Sequence, residues 1–443
     1  MKSIIRMALP FLAIVLAIGL AQQPRVLTIF FFPGPESEAM QHVVDFWNQN
    51  RATTAGFTTE LVVFSRGNYF DRLDAALQSG SSEFDLAMTA TYNLGRESPF
   101  LVDLTDAFAD AEGQELLSHV LSLSAAQHEG RLFAIPHDIS LHLLYYRTDL
   151  FDQLLSDPAA QATYREIAQR IVGQPLDPKH PSEWVWDDYK AAAAYFTLSI
   201  NPQSPTLYGT VLPLRNIIFN TMIWNGILYS MGGVWPDDQG QPGFVTEPAR
   251  EAAQLWTDMY AVGMTAPAST TFEFPESNEA FKTNGAAFML QWNAAFNELN
   301  DPERSPLVAG KVGLTHFPGP TPSTHVHSLE LALSTASDMQ AEGIQFLRFV
   351  ASQEAMLLYA QSGGLPPYDF VLSSPELVAT HAQYPATLES AQNYGFVETT
   401  SPTLFPVLTI LSNHLSAAWA GQIPVDTALQ QAQAETLQFL GVQ

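Results

Sequence analysis

Between Arg25 and Ala90 the chain alternates short apolar runs with amphipathic ones, and few folds accept that alternation. "RVLTIFFFPGPESEAMQHVVDFWNQN" reads as a buried strand, a Pro-Gly turn and a helix with Met40, Val43, Val44 and Trp47 on one face. "TTELVVFS" is a second strand, and "YFDRLDAALQSGSSEFDLAMTA" follows as helix, Gly-Ser loop and short strand. Strands separated by helices predict an open α/β sheet, with a ligand crevice formed by the loops at the strand ends. Those loops are Phe32 to Ser37 and Met88 to Gly95.

From "PSEWVWDDYKAAAAYFTLS" onward the pattern shifts to longer helices. "NIIFNTMIWNGILYSMGG" is a helix stopped by Gly232 and Gly233, and "EPAREAAQLWTDMYAVGM" is a capped, Ala-rich one. This part reads as a second, more helical domain, in keeping with a chain of 443 residues. "NGAAFMLQWNAAF" is a strand turning into a helix, and "GKVGLTHFPGPTPSTHVHSLELALST" gives two short strands around a Pro-rich loop. Two helices follow, then a Gly-Gly-Leu-Pro-Pro stop, and from about Tyr384 the chain is expected to be helical to its end.

The leader "MKSIIRMALPFLAIVLAIGLAQQP" has Lys2 and Arg6, an apolar run, then small residues at Gly19 and Ala21. It reads as an export signal, residues 1–21, cut after Ala21, and as too short for a membrane span. Cysteine is absent, so no disulfide and no lipid anchor follows the cut, and the mature chain is expected free in the periplasm. The formal charge is −26, or −28 once Lys2 and Arg6 are lost. Such a chain repels phosphate backbones and anionic lipid heads, which argues against nucleic-acid and membrane-surface roles. A small neutral ligand is not affected.

No G-x-S-x-G elbow, phosphate-binding Gly-Lys-Ser/Thr loop, G-x-G-x-x-G or H-E-x-x-H motif occurs, so neither catalytic residues nor a cofactor is assigned. A triad built from distant positions stays open. "EGRLFAIPHDISLHLLYYRTDLF" carries His137, Asp138, Ser140 and His142 through an apolar run: a catalytic group, a ligand contact or a chain crossing. His325 and His327 share one face of a strand with Glu330 close by. A closed metal site wants about four ligands and two are credible here, so these also read as ordinary strand histidines. Tyr92, Trp224, Tyr229, Trp235 and Trp292 lie near strand ends or glycine turns. Each alone suits a core; together they suit a sugar, with its apolar C–H face and hydroxyl rim.

Read in order, these stretches resemble the extracellular solute-binding proteins of ABC transporters, in particular the sugar-binding family that includes maltose-binding protein. "LTIFFFPGPESEAMQHVVDFW" is similar to that family's opening strand, loop and helix, and "EGRLFAIPHDISLHLLYYRTDLF" to its first crossover between lobes. "PSEWVWDDY", "SMGGVWPDDQG", "AFKTNGAAFMLQW" and "GKVGLTHFPGP" match further motifs in the family's order. Two departures are Glu83-Phe84 before Asp85, where Pro is usual, and Ser328 and Glu330 in "HSLELAL", where glycine is frequent.

The resemblance implies an α/β periplasmic binding protein fold: two lobes joined by a hinge of two or three crossings. Lobe one would be 22–135 plus 331–383, and lobe two 136–330 plus 384–443. It implies a non-catalytic, monomeric carrier of a saccharide or polyol that works with an inner-membrane ABC permease. Phe32, Arg66 and Tyr92 would line the crevice from lobe one. Trp224, Asn225 and Trp292 would line it from lobe two, with Asp138, Ser140 and Glu330 at the crossings. Asp138 and Glu330 could accept hydroxyl hydrogen bonds, bind a cation, or simply hold the hinge. Two rivals are a ferric-type metal-ion carrier using Tyr145 and Tyr146, and an exported glycoside hydrolase with an unmarked carboxylate pair. Mass spectrometry of the exported protein is expected to find an N-terminus near Gln22; an intact Met1 end in the membrane fraction would contradict a cleaved leader.

Overall fold

The computed structural model describes residues 25–65, 68–236 and 242–442. The leader and Arg66 lie outside them. Eleven strands are found among the described residues: β1 Arg25–Phe31, β2 Phe57–Val63, β3 Leu86–Ala90, β4 Gln127–His128, β5 Arg131–Leu132, β6 Ala134–Arg147, β7 Tyr208–Val211, β8 Ala286–Trp292, β9 Val312–Thr315, β10 Thr324–Leu333 and β11 Gly395–Phe396. No helix among the described residues is long and apolar enough to cross a membrane.

β1 runs parallel to β2 on one side and to β3 on the other. Parallel neighbours need crossovers, which the helices Pro35–Asn50 and Tyr69–Ser79 supply. The first starts with Pro35 at its first turn and carries Glu36 and Glu38 there, where the exposed amides favour acids. Its buried face is Ala39, Met40, Val43, Val44 and Trp47. The Trp47 ring lies 5.1 to 5.3 Å from those of Phe57, Phe346 and Phe349, so the face expected to be apolar anchors the helix to the sheet and to the helix Gln340–Val350.

The sheet order β2-β1-β3-β10-β6-β8-β7 joins two α/β lobes through its middle. β6 has 14 residues, long enough to span about 45 Å at ~3.3 Å each. Its first part, Ala134 to Leu141, pairs antiparallel with β10, and its second pairs with β8 and β9. β10 in turn pairs with β3 through Leu329 to Leu333. The β6–β10 ladder shifts register between Leu329 and Glu330, skipping His137. The cause is next to it: Pro136 has no amide hydrogen to give to a ladder, and such residues sit at strand bulges.

Three sequence expectations need correction. The Pro-rich loop is followed not by a second short strand but by the ten-residue β10, buried along its whole length and so lacking alternation. No open loop covers Met88 to Gly95: Ala90 stays extended at φ −147°, ψ 154°, and the helix Thr91–Glu97 begins at once. After Tyr384 the chain is not helical throughout, because β11 adds to β10 between the helices Gln383–Asn393 and Leu404–Trp419.

Replacing Trp47 by alanine is expected to cost about 3 to 5 kcal/mol of stability, read as a lowered urea midpoint, because the cavity opens between two helices and the sheet.

Candidate functional site

The crossing strands define one polar face. Ser140 pairs with His327 and His142 with Trp292, and paired residues point to the same side of a sheet. His325 completes the set, its ring 6.0 Å from that of His142 and 5.5 Å from that of His327. Aromatic rings cover it from both lobes. Trp292, at the end of β8, lies 3.8 Å from His142 and 5.1 Å from His327. Tyr92, from the helix Thr91–Glu97, lies 5.4 Å from His327 and 6.1 Å from Phe219 on the helix Ile218–Ser230. Trp292 keeps 8% of its surface exposed, His327 5% and Tyr92 3%, while Ser140 and Phe219 are half-buried. The lobes thus meet over a row of imidazoles.

A buried relay fixes this row from below. His325 Nε2 meets the carboxyl group of Glu398, and Glu398 accepts a bond from Asn225 Nδ2 at 2.8 Å. Asn225 Oδ1 accepts from Trp235 Nε1 at 2.9 Å. Tyr229 closes the chain by donating to Trp235 O and stacking on Phe396 at 3.7 Å.

The carboxyl groups of the crossings have other work. Asp138 Oδ2 accepts from Tyr359 Oη and Leu365 N, both at 2.9 Å. Burial, aided by the charge of Glu36, pushes this carboxyl well above the usual range. Glu330 points to the face opposite His325 and His327, as alternation demands, and its Oε1 accepts from Ser328 Oγ at 2.7 Å and Thr91 Oγ1 at 3.2 Å. Burial also raises it well above the usual range. Behind Tyr92, Glu97 is bonded by the Thr89 hydroxyl, and burial pushes its carboxyl up to about 8. Burial acts in the opposite sense on bases: it pulls His142 and His327 well below their ordinary value, with the neighbouring imidazoles adding to the effect.

Among the nine candidate residues, the structure therefore brings Tyr92, Ser140 and Trp292 together. Phe32 stands behind them, its ring 6.3 Å from Phe70, which in turn contacts Tyr92 at 5.8 Å. Trp224 is fully buried in a helix apolar on nearly every side. Asn225 belongs to the relay, Asp138 to the hinge and Glu330 to the far face. Arg66 is outside the described residues. His142, His325 and His327, raised in the sequence as polar residues of the crossings, were not carried into the nine, and Glu398 was not raised at all. His142 was legible, because it continues the spacing of Asp138 and Ser140 by two; Glu398, within "FVETTSP", carries no local signal. Tyr145 donates to Trp292 O at 2.8 Å while Tyr146 meets His180 at 2.9 Å, so the tyrosine pair splits between two faces. Among the described residues no group of three or more His, Asp or Glu has a metal-holding arrangement. A cleft of about 660 Å³ along the helix Pro158–Val172 shares no residue with the imidazole face.

Two lobes meeting over a hinge face is the geometry of a capture protein, and residues 48–386 match the family model of the bacterial extracellular solute-binding proteins. The chain belongs to that family. A probable amino-acid ABC transporter periplasmic-binding protein of Sinorhizobium fredii is 22% identical over 365 residues, 81% of this chain and 76% of that one. A probable ABC transporter-binding protein of Deinococcus radiodurans is 22% identical across 75% of this chain and 77% of its own. Among solved structures, a maltose-bound protein of T. maritima aligns with TM-score 0.75 at 21% identity, covering 94% of this chain and 99% of that one. A ribitol complex from Agrobacterium radiobacter aligns with TM-score 0.75 at 20% identity, covering 94% and 98%. At such identities these structures share this solute-binding protein's fold.

Because Glu97 is raised from 4.5 to about 8, its neutral form favours the folded state. That stability is complete below about pH 4.5 and is lost as pH rises through 8, by up to about 1.4 kcal/mol per pH unit. Glu97→Gln is expected to flatten this loss in urea denaturation between about pH 5.5 and 8.5.

Proposed function

We propose that this protein captures a neutral saccharide or polyol between its lobes and delivers it to an inner-membrane ABC permease. One observation carries the reading: Tyr92 from one lobe and Trp292 from the other close over a row of hydrogen-bonding side chains in which burial favours the neutral forms of His142 and His327. Flat apolar rings beside convergent polar groups suit a ligand with an apolar C–H face and a hydroxyl rim. Among the described residues no Lys or Arg is paired or hydrogen-bonded with the imidazoles of this face, which supports an uncharged ligand. Solved relatives of the same fold hold maltose, ribitol and D-mannitol, which supports the class. The relative named for an amino acid supports a second reading, although a carboxylate would sit poorly here. No specific observation favours the metal-ion or glycoside hydrolase alternative.

The action is hinge closure. Both lobes touch the ligand only when closed, so binding shifts the population toward the closed form without making or breaking a bond. We divide the lobes as 22–135 plus 331–383 and 136–330 plus 384–443; in support, β10 gains β3 as a neighbour from Leu329 onward, and β6 passes from β10 to β8 between Leu141 and His142. The basic, apolar leader supports cleavage and a free periplasmic monomer.

A thermal-shift screen with maltose, ribitol, D-mannitol and amino acids is the direct test; a ligand at 100 times its dissociation constant adds roughly 2.7 kcal/mol. Scattering should show a smaller radius of gyration with the bound sugar. Trp292→Ala is expected to weaken binding by roughly 2 to 4 kcal/mol, with a smaller effect on the urea midpoint. Binding that survives a collapsed midpoint would return Trp292 to the core, and stabilisation by amino acids alone would overturn the sugar reading.

A further inference from the structure

His142, His325 and His327 are 0%, 1% and 5% exposed, and their nitrogens are unequally provided for. His325 gives Nε2 to Glu398, but its Nδ1, both nitrogens of His142 and Nδ1 of His327 have no partner. A buried polar atom left unpaired costs roughly 1 to 3 kcal/mol, and native proteins keep few of them. Here four lie on one face, beneath the Tyr92 and Trp292 rings.

His137 also has both ring nitrogens without a partner, but it sits at the bulge between Phe31 and Tyr359 and makes no ring contact with Tyr92 or Trp292. Asp138 holds Tyr359 and Leu365, and Glu330 faces away. A neutral imidazole offers one donor and one acceptor, the pairing that a hydroxyl group returns. We infer that His142 and His327 are specificity-determining residues of the crevice: as neutral imidazoles they exchange hydrogen bonds with hydroxyls of an uncharged polyhydroxylated ligand, and they release it in acid. This rests on reading the crevice as the sugar site and goes beyond it by naming the groups and the regulation.

The acid release follows from what surrounds the two rings. β10 brings His325, whose partner Glu398 comes from the segment after β11. β6 brings Ser140, β8 brings Trp292, and the loop after β9 brings Phe317 at 6.1 Å from His142. The helices bring Tyr92 and Phe219. Among the described residues the carboxylate that meets this row is Glu398, and it is occupied by His325 and Asn225. A positive charge on His142 or His327 would therefore find no free carboxylate facing it among the described residues. Burial holds both rings below the ordinary 6.5, so any arrangement that buries them is fully favoured above about pH 6.5 and is opposed as pH falls. Each ring that must lose a proton on closure weakens apparent affinity by up to about tenfold per pH unit below that point.

Calorimetry with maltose, ribitol and D-mannitol on the full protein, from about pH 5 to 8, tests this. Wild type should bind one of them at pH 7.5 and lose affinity in acid with a slope approaching two protons. His327→Phe and His142→Phe, which keep a ring and remove the hydrogen bonds, should each lose about tenfold or more at every pH. His327→Gln, which bonds but does not titrate, should recover much of the affinity and lower the slope by one. Imidazole nitrogen NMR of the sugar complex should find both rings still neutral at pH 6. A flat pH profile, rings that titrate near 6.5 in the complex, or folded Phe variants that bind like wild type would overturn the inference while leaving the sugar reading intact. Wild type that binds none of the three sugars at pH 7.5 would overturn the sugar reading, and this inference with it.

Discussion

The antiparallel pairing of β6 with β10 is the interaction on which everything else depends. It is the shared edge of two sheets, the path by which the chain passes between lobes, and the scaffold of the polar face. Pro136 breaks the ladder beside His137, and the slip bends the pair where a hinge is needed. Asp138 then clamps the bend: its carboxyl takes the Tyr359 hydroxyl and the Leu365 amide, while Ile139 N donates to Leu365 O at 2.7 Å. A hinge that flexes must keep its backbone groups satisfied as it does so, and this clamp supplies partners from outside the ladder.

Desolvation sets the electrical character of the junction. The formal charge of −26 describes the chain as a whole, yet the groups packed around the crossing are largely driven neutral. Burial raises Asp138, Glu330 and Glu97 and lowers His142 and His327, five groups moved toward their uncharged forms by the same cause. Beside them His325 and Glu398 are buried in contact with each other. A crevice that is polar but nearly charge-free discriminates against ions by the penalty of moving them out of water, whichever sign they carry.

Much of this was legible in the sequence where a pattern is local. The strand β1, the helix Pro35–Asn50, the helix Ile218–Ser230 and the strand β8 all announce themselves by apolar runs or helical spacing, and the structure has them there. β10 was less legible because burial on both sides erases alternation. The helix Thr91–Glu97 was hidden by its "TATYNLG" composition, which reads as a turn unless its neighbours are known. Of the aromatic group, Tyr92 and Trp292 converge whereas Trp224 does not, and no single-chain pattern separates them: the distinction lies in which side of a nearly wholly buried helix faces the other lobe. Glu398 was invisible for a similar reason, since its partner His325 is 73 positions away in the chain.

That distant partner makes the segment after β11 more than a connection. Over a few residues it gives Glu398 to His325, Thr400 to the β4–β5 hairpin through Gln127 O and His128, and Ser401 to the backbone of Gly95. A Cβ on Gly95 would lie 2.3 Å from Ser401 C, so only glycine lets the helix that carries Tyr92 come this close. Phe405 ends the run beneath the guanidinium of Arg96, 4.6 Å from its carbon, and 6.2 Å from the Tyr92 ring. The same stretch of chain therefore orients the imidazole row from below and seats the aromatic lid from above. With the lobes divided as proposed, Gly95 and Ser401 lie on opposite sides of the division, so opening would break this close approach and part Tyr92 from the polar face that Glu398 helps to orient.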